Sequence, residues 1–351
     1  MVMCARAANA PSAHGAADGQ RDASAGRSCR VSTASAHVLG RGRRLLRASL
    51  WVVFLLQCTG CATQLSGQSV QVQGVPYFAQ TDLQCGPAAL ASLLAKAGQP
   101  QTVSTLSSWM FTPALGGSLQ QDVIGAARRA GVVPVRVSGG LPALQRQLAL
   151  GRPVLVLQNL GLRSWPHWHY AVVTALDVDA NRVTVGGPTG RVDAVRAGAF
   201  LRAWAYADEW ALVVLRPLEA PTGLGAADYM QAMAALEAMQ KLDAAASGYA
   251  LGMAQWPRDT SLQLGAANVA LARDDLPAAG ALFEQVIVVE PANVAALNNQ
   301  AEVRRRQGRV IEATMLVERA LQVPVGPALR AALLDTLAQI RGEPALAIPS
   351  R

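Results

Sequence analysis

The sequence predicts an α+β domain followed by an all-α array of helical repeats. Two observations carry that reading. Between about residues 75 and 216, turn-bounded segments read as helices first and then mostly strands, an order that suits α+β architecture. Beyond residue 226 the chain is Ala-rich and helical, and Pro257 and Pro291 stand 34 residues apart. The same interval separates Ala245, Ala279 and Ala313, and again Tyr249, Phe283 and Val317.

Residues 1–60 read as a leader and export signal. Residues 1–40 are rich in Ala, Ser, Gly and Arg and lack hydrophobic periodicity. Arg41, Arg43, Arg44 and Arg47 then form a positive region ahead of the apolar run Leu50-Trp51-Val52-Val53-Phe54-Leu55-Leu56, which is too short to span a bilayer comfortably. It ends in Cys58-Thr59-Gly60-Cys61, which resembles a bacterial lipobox with Cys at −3 in place of the usual Leu. Cleavage before Cys61 and lipidation of Cys61 are expected, an ordinary signal peptide being the alternative. Cys58, preceded by Gln57, is the weaker acceptor. Ala62 and Thr63 follow rather than Asp, and the resemblance to lipoproteins implies an envelope protein lipid-anchored in the outer membrane and facing the periplasm.

Charge argues against nucleic acid as a partner. The 351 residues carry a net +8, but residues 1–60 hold eight Arg and two Asp, so six of those charges leave with the leader and about +2 remains. The remaining 291 residues suffice for two domains of ordinary size.

Residues 61–73, polar and Gln/Ser-rich, suit a tether. The α+β domain is assigned to 74–216, with ordered structure starting at Val75-Pro76-Tyr77-Phe78. A helix is predicted from Pro87 to Ala97, with Pro in the first turn and Gly98 as the stop. Ser118 is the expected cap of a second helix running through Ala130, and a third spans Pro142 to Leu150. Strands are predicted at 132–137, 153–159, 169–176, 182–185 and 211–215. Residues 217–226 form a linker, 227–341 the repeats and 342–351 a tail. The 34-residue spacing resembles tetratricopeptide repeats, in which a small residue permits close helix packing, a bulky one plugs the gap and Pro ends the second helix. Three units from about residue 226 and a capping helix near 327–341 are expected; the early Trp, Gly and Tyr positions of that consensus are poorly matched.

Cys85 carries the chemical interest. It is the fifth of five cysteines, and the other four, Cys4, Cys29, Cys58 and Cys61, lie in or at the edge of the signal, so after lipidation of Cys61 no intramolecular disulfide can form. Cys85 precedes a helix start, where unpaired N–H groups favour the thiolate. Attack on a carbonyl also needs a base and donors for the developing oxyanion. The only histidines outside the leader are His167 and His169, in Trp165-Pro166-His167-Trp168-His169-Tyr170-Ala171-Val172-Val173. A small buried core cysteine and an ordinary strand histidine are the competing readings. Cys85, His167 and His169 could be metal ligands, but no further Cys or His completes a site, and no metal or cofactor is assigned. Trp165 and Trp168 either line a substrate groove or pack beneath the loop.

The run Gln80-Thr81-Asp82-Leu83-Gln84-Cys85-Gly86-Pro87-Ala88-Ala89-Leu90, followed about 80 residues later by His169-Tyr170-Ala171-Val172-Val173, resembles the papain-like double-glycine (bacteriocin-processing) cysteine peptidases, specifically a lipoprotein branch with carboxy-terminal tetratricopeptide repeats. The resemblance implies a papain-like fold, Cys85 as nucleophile, His169 as base and acid, and Gln80 as oxyanion donor; Gln84 lies close to the same place. It departs from the family at Gly186-Gly187-Pro188, where an Asp before Pro usually orients the histidine; Asp177, Asp179 and Asn181 are the candidates to replace it. The expected function is a cysteine peptidase acting on a peptide or protein, with the repeats holding a protein partner. The alternative is a weak or inactive peptidase fold serving as an assembly factor through its repeats.

Overall fold

The structure is a computed structural model that describes residues 64–80, 83–187 and 189–343. The leader, the signal, Cys61 and residues 344–351 lie outside the described residues. Among these residues, no helix is long and apolar enough to cross a membrane.

The first part is an antiparallel sheet with helices. Its strands are β1 (Val70–Gln71), β2 (Val133–Arg136), β3 (Val154–Asn159), β4 (Trp168–Asp177), β5 (Arg182–Gly186), β6 (Val192–Arg196) and β7 (Ala211–Leu215). They lie in the order β2-β7-β3-β4-β5-β6, with β1 taking the place of β3 beside the second half of β4. The central strands read as continuous apolar runs because both faces are covered; Val154–Asn159 and Ala211–Leu215 are buried throughout. The helices are α1 (Cys85–Lys96), α2 (Val103–Met110), α3 (Gln120–Arg129), α4 (Gly140–Ala149) and α5 (Ala197–Ala205). Leu90, Leu93 and Leu94 of α1, Leu106 and Met110 of α2, Val123 of α3 and Phe200 and Trp204 of α5 fill one core with the sheet.

Several sequence expectations change. Segment 61–73 is not a free tether from Leu65 onward. Leu65 and Val72 are buried, Leu65 N donates to Asn181 Oδ1 at 2.9 Å, and β1 pairs with Ala175 and Leu176. A polar segment is held here by backbone pairing and two apolar plugs. Ser118 does not cap α3. Its hydroxyl is buried without a partner, and the Asp122 carboxylate instead accepts from Leu119 N at 3.1 Å. Helices α2 and α5 and strand β6 are additional elements.

Seven helices follow: α6 (Ala226–Ala238), α7 (Leu242–Gln255), α8 (Thr260–Ala272), α9 (Leu276–Val289), α10 (Val294–Arg306), α11 (Val310–Leu321) and α12 (Pro327–Arg341). They form three tetratricopeptide-like pairs and a closing helix. Ala245, Ala279 and Ala313, all fully buried, sit on α7, α9 and α11, where a larger residue would push the helices apart; Tyr249, Phe283 and Val317 follow one turn later, also buried. Tyr249 packs over Gly265 of α8, where an added Cβ would collide with the ring. Asn299 of α10 donates to Asn268 of α8 at 2.9 Å, linking the first helices of successive pairs.

The first pair is built into the core of the sheet domain, since Tyr229, Met233, Leu236 and Tyr249 belong to the same apolar cluster as β3 and β4. The segment 217–226 is pinned as well. Arg152 donates to Ala220 O, Thr222 O and Glu219, and Gln147 Nε2 donates to Gly223 O at 2.8 Å.

Candidate active site

Cys85 is the first residue of α1. Leu83 enters in a left-handed conformation at φ 69°, and Gln84 stands at the helix cap, its carbonyl accepting from Ala88 N at 3.0 Å. Pro87 falls in the first turn, where its missing N–H costs no intrahelical bond. The thiol-bearing residue is buried, 5% exposed, in the first turn of the helix, the end whose dipole favours negative charge. Gly86 lets this end approach its neighbours: an added Cβ would stand 3.2 Å from Met110 Cε and 3.3 Å from Ser118 Oγ.

Helix α1 packs across β4, the strand that carries His169. Tyr170, the next residue, senses the Cys85 charge. Burial first, then the charges on Cys85 and Asp122, push the Tyr170 phenol far above its ordinary range. It therefore stays protonated, and its hydroxyl donates to Ser118 O at 3.3 Å. The phenol thus marks the meeting of α1, the loop before α3 and the start of β4.

His169 is half-buried opposite Gln158 of β3. Its strand is entered through a loop organised by Asn159. That side chain, 3% exposed, accepts from Gly161 N and His167 N, both at 2.9 Å, and donates to Leu162 O. No sequence motif marks Asn159. The loop displays Leu160, Leu162 and Trp165, the last 68% exposed, whereas Trp168 turns inward with its indole N–H buried.

Gln80 is half-buried with its Oε1 shielded from water and without a hydrogen-bond partner. It lines a small cleft with Ala88 and Ala89 of α1, Ala171 and Val172 of β4, and Gly187. The structure thus brings the first turn of α1, the His169 strand and Gln80 to one end of the sheet.

Residues 72–211 match the family described as Peptidase_C39 like. This segment is a C39-like peptidase domain. Three solved structures resemble parts of the chain. A putative C39-like peptidase from Bacillus anthracis is 16% identical over 43% of this chain and 98% of its own, with a TM-score of 0.37. The peptidase domain of Streptococcus ComA, a bifunctional ABC transporter involved in quorum sensing, is 20% identical over 41% of this chain and 99% of its own, with a TM-score of 0.33. A tetratricopeptide repeat protein from Parabacteroides merdae is 14% identical over 33% of this chain and 46% of its own, with a TM-score of 0.30. No curated protein matches the chain.

Within the C39-like domain, the three acid or amide candidates for orienting His169 do not serve that end of the sheet. His169 is the second residue of β4 and Asp177 the last, about 26 Å away at roughly 3.3 Å per residue. Asp177 Oδ1 accepts from Ala180 N at 2.8 Å and Asn181 Oδ1 from Leu65 N, so both are spent on the β4–β5 turn and the strap across it. Asp179 lies in that same turn.

Proposed function

We propose that this protein is an exported, lipid-anchored cysteine peptidase that cleaves a peptide or protein substrate through Cys85 and His169. The observation that carries the reading is the position of Cys85 at the start of α1, packed against the strand of His169 within the C39-like domain.

His169 takes the thiol proton, and the thiolate adds to a peptide carbonyl carbon. The negative charge passes to the carbonyl oxygen, where the Gln80 side chain and the N–H groups at the start of α1 supply donors. The imidazolium returns its proton to the departing amine as the C–N bond breaks, leaving a thioester on Cys85. Water, deprotonated by His169, then adds to the thioester; the carboxylic acid leaves and the thiol is restored. The exposed Leu160, Leu162 and Trp165 form an apolar rim beside His169, suited to an extended peptide.

Cys61 supplies the anchor: acyl chains there hold the domain at the envelope membrane, and Cys61→Ser releases the protein into the soluble fraction. The peptidase reading is tested with the purified protein and a mixed library of unstructured peptides, with fragments followed by mass spectrometry. New termini that appear with the wild-type chain and vanish with Cys85→Ala and with His169→Ala support it. Fragments made equally by Cys85→Ala, or no fragments from any chain, argue against it.

A second reading rests on the repeats. Val288 and Met315, both more than 60% exposed, line a groove of about 570 Å³ between α9 and α11, a surface that suits a protein partner. A cellular phenotype that survives Cys85→Ala but is lost on removal of residues 260–341 favours this assembly role over turnover.

A further inference from the structure

The β5–β6 hairpin carries an acid that no sequence motif singles out. β4 and β5 pair through Val173 and Val185, and the register runs on, since a Cβ added to Gly186 would stand 3.9 Å from Val172 Cβ. Side chains alternate across a strand. His169, Ala171 and Val173 therefore share one face of β4, and Val185 and Gly187 share that face one strand over. Asp193 of β6 pairs with Val185, so its side chain stands on the same face.

The carboxylate leans from Val185 toward the hairpin end. A Cβ added to Gly187 would collide with Asp193 Oδ2 and Cγ and would stand 3.0 Å from Arg191 O. Gly187 is buried and held in place, its N–H donating to Arg191 O at 2.7 Å, while Gly190 N closes the turn on Gly187 O at 3.2 Å. Glycine at 187 is thus the condition for the place that the Asp193 carboxylate occupies. By continued register Gly187 lies beside Ala171, which makes a group above it the diagonal neighbour of His169. Diagonal cross-strand Cβ atoms are about 7–8 Å apart, a gap that an imidazole and a carboxylate can span. Asp122, the acid that acts on Tyr170, is already engaged by Leu119 N and the Thr112 hydroxyl.

A histidine acting as base works best when a third group holds its ring. We propose that Asp193 is the positioning residue for His169, reaching from β6 into the space that a side chain at position 187 would fill. The inference rests on reading Cys85 and His169 as the reacting pair.

The test uses the full chain and iodoacetamide, with alkylation of Cys85 followed by peptide mass spectrometry across pH 5 to 9. Wild type is expected to react fast at neutral pH, with an inflection below that of an ordinary thiol. Asp193→Ala should slow the neutral-pH reaction about tenfold and move the inflection upward, while Asp177→Ala leaves the profile unchanged. The double exchange Gly187→Asp with Asp193→Gly should bring the rate back to within about threefold of wild type. An Asp193→Ala profile that superimposes on wild type overturns the proposal, as does a loss that the double exchange fails to recover, which marks a merely structural role. A wild-type profile like that of an ordinary thiol overturns the Cys85–His169 reading itself, so the two failures are distinct.

Discussion

Asp228, in the first turn of α6, accepts two hydrogen bonds from Ser138 in the loop before α4: one from the backbone N–H at 3.0 Å and one from the hydroxyl at 2.8 Å. An acid at a helix start is favoured by the helix dipole, and here it also clamps the first repeat to the sheet domain. Together with Tyr229 and Met233 in the shared core, this makes the first helical pair part of the folding unit of the peptidase domain.

Asp228→Ala is therefore expected to lower stability by about 1 kcal/mol, since both groups are solvent-accessible and lose one charged acceptor. Urea unfolding followed by circular dichroism checks this. The transition should remain single; a mutant that separates into two transitions would show that the clamp, rather than the shared core, couples the parts.

Gly265→Ala should destabilise the repeats even though alanine is the better helix former by about 1 kcal/mol. The added methyl meets the Tyr249 ring, which is 1% exposed and tied by its hydroxyl to Glu237, so the ring cannot step aside. Overpacking of this kind costs about 1–3 kcal/mol, and the net effect is a lowered melting temperature. The pair Gly265→Ala with Tyr249→Leu should recover part of the loss.

Glu219 gives the fold an acid-sensitive fastening. Burial alone would raise its pKa, but hydrogen bonds from Arg216 N, Arg152 and the Arg216 side chain prevail and hold it below the ordinary carboxylate value of 4.5. A depressed folded-state pKa means stability that is present above pH 4.5 and lost as pH falls through the folded value. Glu219→Gln is expected to cost about 1 kcal/mol at pH 7 and to flatten the decline in stability below pH 4.5, as read by thermal melting across pH 3 to 7.

What the sequence made legible follows from strong local patterns. The run around Cys85 has the Pro and small residues of a helix start, and α1 begins at Cys85 itself. The 34-residue interval picks out Ala245, Ala279 and Ala313 because close helix packing admits little else there. Other features had no such signal. Helix α2 is Ser- and Thr-rich, and β6 is exposed along most of its length, so neither shows a hydrophobic period. Leu65 and Val72 are isolated apolar residues in a polar stretch, and only the pairing of β1 with β4 reveals their role. Asn159 and Asp193 act through register and loop geometry, which spacing along the chain does not express.

The most direct test of the central claim is labelling of the intact protein by a peptidyl acyloxymethyl ketone, an electrophile that alkylates a catalytic thiolate far faster than an ordinary thiol. The account predicts one adduct, mapped to Cys85 by peptide mass spectrometry, and its loss in His169→Ala and on prior denaturation in urea. Equal labelling of Cys85 in the wild type, in His169→Ala and in the denatured chain would contradict it.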